Sequence, residues 1–418
     1  MREDAKKILI LGGNRYNVPA IRAARADGFF TLVADRNPEA PGLAAADVAL
    51  PVDLFDYEAL LEAVTRQGGV DGVVSMAEVG VCPAVHLSRR LGLPSITPES
   101  AANATSKASM RRQWEAIGNY STAYCVVSTQ EEALRAIERL GTFPLIFKPD
   151  RSFGGARGVM RVEHKDQVHD AFLFAKRGGL PDSDVVIEIC VEGTEHSAEV
   201  LIWDGKTSVL CIGQKVKSQY PYRVDISVQY PAPLSPAHEK VVADMCQQAI
   251  TALGLTQGVA HIEFAYTQHG PVLFELGARC GGGHTPQIAY HVSGVNEFIE
   301  ACEMACGLQP RHFLPTERRG ADYRFLIFPP GKLAAAHIPD IVQSHKDILD
   351  VGVTAQAGEE IRPLRTTSER AGFVVTSGNN HRAALDLADW ACEQISVTYE
   401  DGAVAHGHTL SDFEQPRQ

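Results

Sequence analysis

The spacing of apolar positions changes repeatedly along the chain, and each change predicts an element. Residues 7–11, KILIL, are a short apolar run; the loop GGN interrupts it, and VPAIRAARADG then returns to helical spacing. FTLVAD repeats the strand pattern and ends at Asp35, and DYEALLEAVTRQ puts apolar side chains at 57, 60, 61 and 64, one face of a helix. GVVSMAE is a further strand ending at Glu78, and PAVHLSRRLGLP another helix and turn. Short strands alternating with helices predict a parallel sheet. The first unit, residues 1–104, therefore reads as a Rossmann-like α/β domain.

The pattern then changes character. STQEEALRAIERLG predicts a helix capped by Ser128, with Glu131 closing the capping box and Gly141 ending it. PLIFK and GVMRV read as strands joined by the polar loop 152–158, and DVVIEICVEG as a strand running into a connector. SAEVLIWDGKTSVLCIG predicts a hairpin turning at Asp204–Gly205. HEKVVADMCQQAITALG is an amphipathic helix, and VAHIEFAYTQHGPVLFELGAR a second hairpin. The last hundred residues mix strands such as DYRFLIF and GFVVTSG with a helix around ALDLADWACEQI, and the polar tail after about Ala403 reads as disordered.

Composition narrows the function classes. The chain has 418 residues, more than one ordinary core accommodates, with 45% hydrophobic and 22% charged residues, as in globular proteins. A net charge of −12 argues against a general nucleic-acid binder, whose footprint is basic. No apolar run reaches the ~20 residues of a membrane span, and the apolar start ILIL is too short for a signal peptide. The nine cysteines are scattered without a CxxC pair, which predicts reduced thiols and a cytoplasmic protein. Gly12, Gly13 and Asp35 hint at a dinucleotide fold, but GGNRYN is not G-x-G-x-x-G, so the first unit reads as a scaffold without a nicotinamide.

Two segments carry candidate chemistry. With the second hairpin centred on His269, Glu263 and Glu275 are directly opposed, and like charges there repel. Their apolar neighbours Ile262, Phe264, Phe274 and Leu276 imply a sheet buried on at least one side, so a cation is expected to offset the pair; carboxylate oxygens suit Mg²⁺. Solvated acids on an exposed face are the competing reading. Removing one charge should then relieve repulsion, so Glu275→Gln should fold at least as stably without ligand. The same register puts Gly277 opposite His261 and brings Arg279 to that face, where a guanidinium can stabilise a transferring phosphoryl group. CGGG, residues 280–283, leaves backbone N–H groups free to approach an anion. Lys148, at a strand end before the glycine-rich loop, suggests a flap over phosphates; an ordinary hairpin loop is the alternative.

The ordered set Lys107, Lys148, loop 152–158, EICVEGTE, Glu263, Glu275 and Arg279 resembles the ATP-grasp superfamily of carboxylate–amine ligases. FELGARCGGGH and ERAGFVV are most similar to the amino-acid (dipeptide) ligases. The resemblance implies a Rossmann-like domain (1–104), two α+β subdomains clasping ATP (105–190, the lid, and 191–312), and a C-terminal α+β subdomain (313–418). It implies that Lys107 and Lys148 touch the nucleotide phosphates and that Ser152, Gly154 and Gly155 form the lid loop. Glu188 and Val191 would form the adenine hinge, acting chiefly through backbone groups, and Glu195 would hold the ribose. Glu263 and Glu275 would bind Mg²⁺, with Mn²⁺ as a substitute, and Arg279 would lie near the γ-phosphate. Glu78, Gly282 and His284 are the substrate candidates, Glu78 for the ammonium of an amino substrate or simply as a helix N-terminal acid. Many members read Glu-x-Asn-x-Arg where this chain reads ELGAR, with Gly277 in place of a metal-binding Asn; a packed His261 is expected rather than a His261 ligand. The implied reaction joins a small-molecule carboxylate to an amine through an acyl phosphate, releasing ADP and phosphate. The rivals are a carboxylase of the purine-synthesis or biotin type and an ATP-binding module without turnover. No nucleic-acid or membrane partner is expected, and a homodimer is admissible.

Overall fold

The computed structural model describes residues 5–118, 120–152, 157–218 and 224–413. The first unit is a parallel sheet of Lys7–Leu11, Phe30–Ala34, Val48–Leu50 and Gly72–Ser75, with Lys7–Leu11 between Phe30–Ala34 and Gly72–Ser75. Its strands are short and almost wholly apolar because helices cover both faces. One face packs on Tyr57–Arg66 and Val81–Leu91. On the other, Ile8, Ile10 and Val33 join a core that includes Phe298, Ile299 and Cys302 of the helix Glu297–Ala305. That shared core fixes the first unit against the rest of the chain.

A small antiparallel sheet runs Tyr124–Val127, Val185–Ile189, Leu145–Pro149, Met160–Val162 in spatial order. Strand alternation sorts its side chains: Leu145, Phe147, Val185 and Ile187 pack on the helices Gln130–Leu140 and Val168–Gly178, which leaves Lys148 and Glu188 on the opposite face. The capping box at Gln130–Leu140 lies one residue later than expected. Thr129 is the N-cap and Glu132 its partner, because Ser128 Oγ instead donates to Asp184 at 2.7 Å. Both pairs satisfy the S/T-x-x-E spacing, so a tertiary contact decides between them.

The large antiparallel sheet has eight strands: Gly270–Gly277, Gln257–Thr267, Thr194–Trp203, Lys206–Lys217, Asp225–Tyr230, Gly320–Leu326, Gly372–Gly378 and Ile348–Val353. The expected boundary at 312/313 divides the chain but not this sheet, since its last three strands come from beyond it. The helices Lys107–Ala116 and Pro236–Ala252 cover one face. At the Asp204–Gly205 turn both residues have positive φ, 52° and 70°, as a tight two-residue hairpin requires. A further four-stranded sheet lies near the C-terminus. The tail is ordered further than expected: Val404–His406 adds a strand to Ser396–Tyr399, and Gly407 N donates to the carbonyls of Cys392 and Ile395. Hydrogen bonding supplies there what hydropathy did not signal. Among the described residues no helix is long and apolar enough to cross a membrane. All nine cysteines are free thiols.

Candidate active site

Lys148 ends its strand buried, with Nζ 2.6 Å from Glu188 Oε1. Arg111, one helical turn beyond Lys107, reaches Glu188 Oε2 at 2.7 Å and donates to the carbonyl of Leu273 at 2.6 Å. One guanidinium thus ties the small sheet to the edge strand of the large one. Burial alone would raise the Glu188 carboxyl, yet Arg111 and Lys148 together hold it below its ordinary value. Burial pushes the Lys148 ammonium down, against the pull of Glu188 and with the repulsion of Arg111. Glu188 lies in a strand paired on both sides, opposite Tyr124 and Ile146, and its side chain holds Lys148 and Arg111. Val191 lies half-buried in the connector leading to the large sheet.

Glu263 and Glu275 are register partners, though not for the reason the spacing suggested. The turn is the two residues Gln268–His269, not a loop centred on His269, so Phe264 pairs with Leu273. A bulge at Phe274 then absorbs one residue and restores the opposition of the two acids. Each acid has one ammonium: Lys215 Nζ lies 2.8 Å from Glu263 and Lys107 Nζ 3.0 Å from Glu275. Burial would lower Lys107, but Glu275 and Glu78 hold it above its ordinary value. Burial would raise Glu263, but Lys215 and His261 hold it well below the usual carboxylate range. His261 Nδ1 donates to Glu199 at 2.6 Å and Nε2 to Glu263 at 3.1 Å. Burial opposes its charge, yet Glu199 raises it to about 9. A protonated imidazole is a donor rather than a metal ligand, in keeping with the packed histidine expected at this position.

Glu78 sits in a single 3-10 turn before Val81–Leu91 and reaches across to Arg279, Nε to Oε2 being 3.2 Å. Burial drives the Glu78 carboxyl upward while Arg279 opposes it. Gly277 is what admits this pair. A Cβ there would stand 3.0 Å from Glu78 Oε2 and 3.2 Å from Arg279 Cζ, so the volume of an Asn side chain is already occupied by an ion pair. Gly281 N donates to Glu199 Oε2 at 3.2 Å, which anchors the glycine loop to the His261 relay. A Cβ on Gly282 would meet open space. His284 caps Thr285–Ser293 and is buried between Tyr323 Oη at 3.2 Å and Asp350 at 2.7 Å. The structure thus ties it to the C-terminal strands.

Glu195 pairs with Lys217 at 2.6 Å. Ser152 is buried and bridges to Gly179; Gly154 and Gly155 lie outside the described residues. Arg111, Lys215, Lys217 and Glu199 went unnoticed in the sequence. Two signals were present. Arg111 follows Lys107 by four residues, one face of a helix. Lys215 and Lys217 alternate at the end of an apolar strand, which places both on one sheet face. No such signal marks Glu199, which lies within the apolar strand around AEVLIW. The carboxylates of Glu263 and Glu275 fit a hard divalent cation: both are oxygen donors, opposed, part-exposed at 34% and 29%, and already faced by cations. Among the described residues no cluster of three or more His, Cys, Asp or Glu forms a metal cage. Such an ion would complete its shell with phosphate oxygens and water.

Comparison with known proteins agrees with this geometry. Residues 21–95 match the ATP-grasp N-terminal domain, 141–287 the ATP-grasp domain and 324–400 the L-amino acid ligase C-terminal domain 2. The chain thus carries ATP-grasp domains together with an L-amino acid ligase C-terminal domain. The crystal structure of L-amino acid ligase from Bacillus licheniformis superposes with a TM-score of 0.80 at 22% identity, covering 94% of this chain and 99% of that one. An uncharacterized protein of Sinorhizobium fredii, y4rH, is 28% identical over 87% of this chain and 75% of its own length. Human carnosine synthase 1 is 24% identical over 76% of this chain, which spans only 41% of that relative's length.

Proposed function

We propose that the chain is an ADP-forming ligase joining the carboxylate of an amino acid, or a related acid, to an amine, with ATP as phosphoryl donor and Mg²⁺ (or Mn²⁺) as the metal. The observation that carries this reading is the Glu78–Arg279 pair beside the two opposed acids. A carboxylate and a guanidinium held 3.2 Å apart mirror the ammonium and carboxylate of an α-amino acid. Glu78 takes the substrate ammonium, and Arg279 takes the carboxylate and then the charge developing on the transferred phosphoryl group.

Glu263 and Glu275 are the residues to hold the metal, which when bound neutralises phosphate oxygens as a Lewis acid. Lys107 and Lys215, now on those acids, are then free to turn to phosphate. Lys148, steadied by Glu188, lies against the α-phosphate; the connector at Val191 presents backbone groups to adenine, and Glu195 accepts from the ribose hydroxyls. The substrate carboxylate oxygen bonds to the γ-phosphorus as ADP leaves. The amine nitrogen then bonds to the acyl carbon as phosphate leaves, and a proton passes from nitrogen to solvent. The protein supplies position and charge rather than a nucleophile.

The test is an oxygen-18 experiment with the labelled acid. Label in the released phosphate, with ADP as coproduct, is the expected result. AMP and pyrophosphate as products would mean adenylation and overturn the reading.

A further inference from the structure

Glu297 is a buried acid that neither the nucleotide nor the Glu78–Arg279 pair uses. It opens the helix Glu297–Ala305, it is 0% exposed, and neither carboxylate oxygen has a hydrogen-bond partner among the described residues. The helix packs on the strands Thr194–Trp203 and Gln257–Thr267, where Glu199 and His261 are register partners. Glu199 is equally buried, but its charge is matched. His261 Nδ1 donates to one oxygen at 2.6 Å and Gly281 N to the other at 3.2 Å. His261 is thereby engaged with Glu199 and, through Nε2, with Glu263. Ionising Glu297 would bury an unpaired charge, so the acid keeps its proton. The titratable groups that face it are Glu199, Cys211, Tyr230, His261, Arg279 and Cys280. Burial, and then Glu199, drive its carboxyl well above the usual carboxylate range, against His261, Cys280 and Arg279.

The glycine loop lies directly over this acid. The thiol of Cys280, a weak donor, lies against the Glu297 carboxyl, and Cys280 shares a core with Val295 and Phe298. The Cys280 carbonyl accepts from Arg279 Nη1 at 2.8 Å. Gly281 sits so close above the relay that a Cβ there would collide with Thr285 and stand 3.0 Å from His261 Nδ1. The walls around Glu297 differ in strength. Both strands are paired on each side within the large sheet, and the helix shares its core with the first unit. The loop is held by isolated hydrogen bonds, so it is the wall that gives way first.

We propose that Glu297 is a positioning residue: as an uncharged acid it lets the glycine loop 280–283 close down on the sheet and keeps Arg279 beside Glu78, and its ionisation lifts the loop. The inference rests on the ligase reading above and adds an alkaline limit to it. An ionised Glu297 would face Glu199 across an apolar interior. Like charges there repel, and the least costly relief is to part the loop from the helix and admit water. Cys280 moves with the loop, and Arg279, tied to the Cys280 carbonyl, then leaves its partner Glu78. A carboxyl raised by folding contributes stability that is lost as pH rises through its folded value. Turnover fails at that same value, because the proton that leaves is the one that kept the loop down.

The experiment follows ADP release against pH with Mg²⁺, ATP and L-amino acids offered in pairs, each profile scaled to its own maximum. Glu297→Gln stays uncharged at every pH. Its alkaline limb is expected to lie about one pH unit or more above that of the wild type, roughly a tenfold difference in rate on the limb. The loss that the substitution removes falls on kcat and on the KM of the acid. The KM of ATP follows one profile in both proteins, since Lys148 and Glu188 are unaltered. The difference in melting temperature, variant minus wild type, should grow with pH and level off at the limb. A merely structural Glu297 would shift melting but leave the scaled profiles superimposed; that result overturns the inference and leaves the ligase reading intact. A difference confined to the KM of ATP does the same. If Glu297→Gln does not fold, as circular dichroism reports, Glu297→Met decides by the same shift. A chain that folds with neither substitution contradicts an uncharged Glu297 and overturns the inference. No ADP release with any pair at any pH overturns the ligase reading and this inference together.

Discussion

The small and large sheets handle buried charge in opposite ways. On the small sheet a single carboxylate, Glu188, is saturated by Lys148 and Arg111, and all three are buried. On the large sheet two carboxylates oppose each other, and each keeps one lysine and a part-exposed face. A saturated, dry cluster has one low-energy arrangement and holds its shape with or without ligand. Acids that keep a part-exposed face can exchange a lysine for another cation at little cost, because solvent already screens part of the charge. The first cluster therefore reads as framework and the second as the place where ligand charge is received.

The sharpest way to break the contrast is Glu188→Gln. It leaves two buried cations facing a neutral amide, and removing one partner of a buried pair costs about 3–5 kcal/mol. A large drop in melting temperature is expected, together with weaker ATP binding as Lys148 loses its anchor. The same cluster fixes an acid limit. The Glu188 carboxyl lies below its ordinary value in the folded protein, so its contribution is complete above the ordinary carboxylate range and is lost as pH falls through the folded value. Wild-type melting measured against pH should decline on that acid side, and Glu188→Gln should flatten the decline. An unchanged melting temperature in the variant would remove the framework reading.

Glu275→Gln should show the opposite balance. Turnover is expected to fall by roughly a hundredfold or more, as for the loss of a group that stabilises transferred charge. The ligand-free protein loses about 1–2 kcal/mol, because Lys107 is left without its partner at 3.0 Å. That reverses the expectation drawn from the sequence. Repulsion between the acids is already offset by the two lysines, so neutralising one acid relieves nothing. Melting curves with and without Mg²⁺ and ATP, beside an ADP-release assay, measure both quantities. A variant that keeps wild-type turnover would show that Glu275 is no metal ligand.

The smallest of the three effects belongs to the boundary between the clusters. Gly277→Asn restores the residue common in the wider family, yet here it should harm. Its Cβ would stand 3.0 Å from Glu78 Oε2, so the Glu78–Arg279 pair must part, at about 1–3 kcal/mol for a side chain forced into filled space. The KM of the acid substrate should rise more than that of ATP. A variant with improved turnover would mean that Gly277 marks a missing metal ligand rather than a space reserved for Glu78.

Much of this was written in the chain itself. Alternation and helical spacing are local properties, so the parallel first unit, the two hairpins and the long helices could be read directly. The order of lysines, glutamates and arginine carried the family. Opposition of Glu263 and Glu275 was also legible, although the assumed turn was wrong and the bulge at Phe274 compensated for it. What no local pattern reveals is which charged groups meet across distance. Arg111 with Glu188 and Glu78 with Arg279 join residues from separate parts of the chain. Even Gly277, which looks in the sequence like a lost ligand, takes its meaning from a side chain nearly two hundred positions earlier. Short-range periodicity determined the elements of this protein; the partners of its buried charges were decided only when packing excluded water and left each charge to find its counterpart in space.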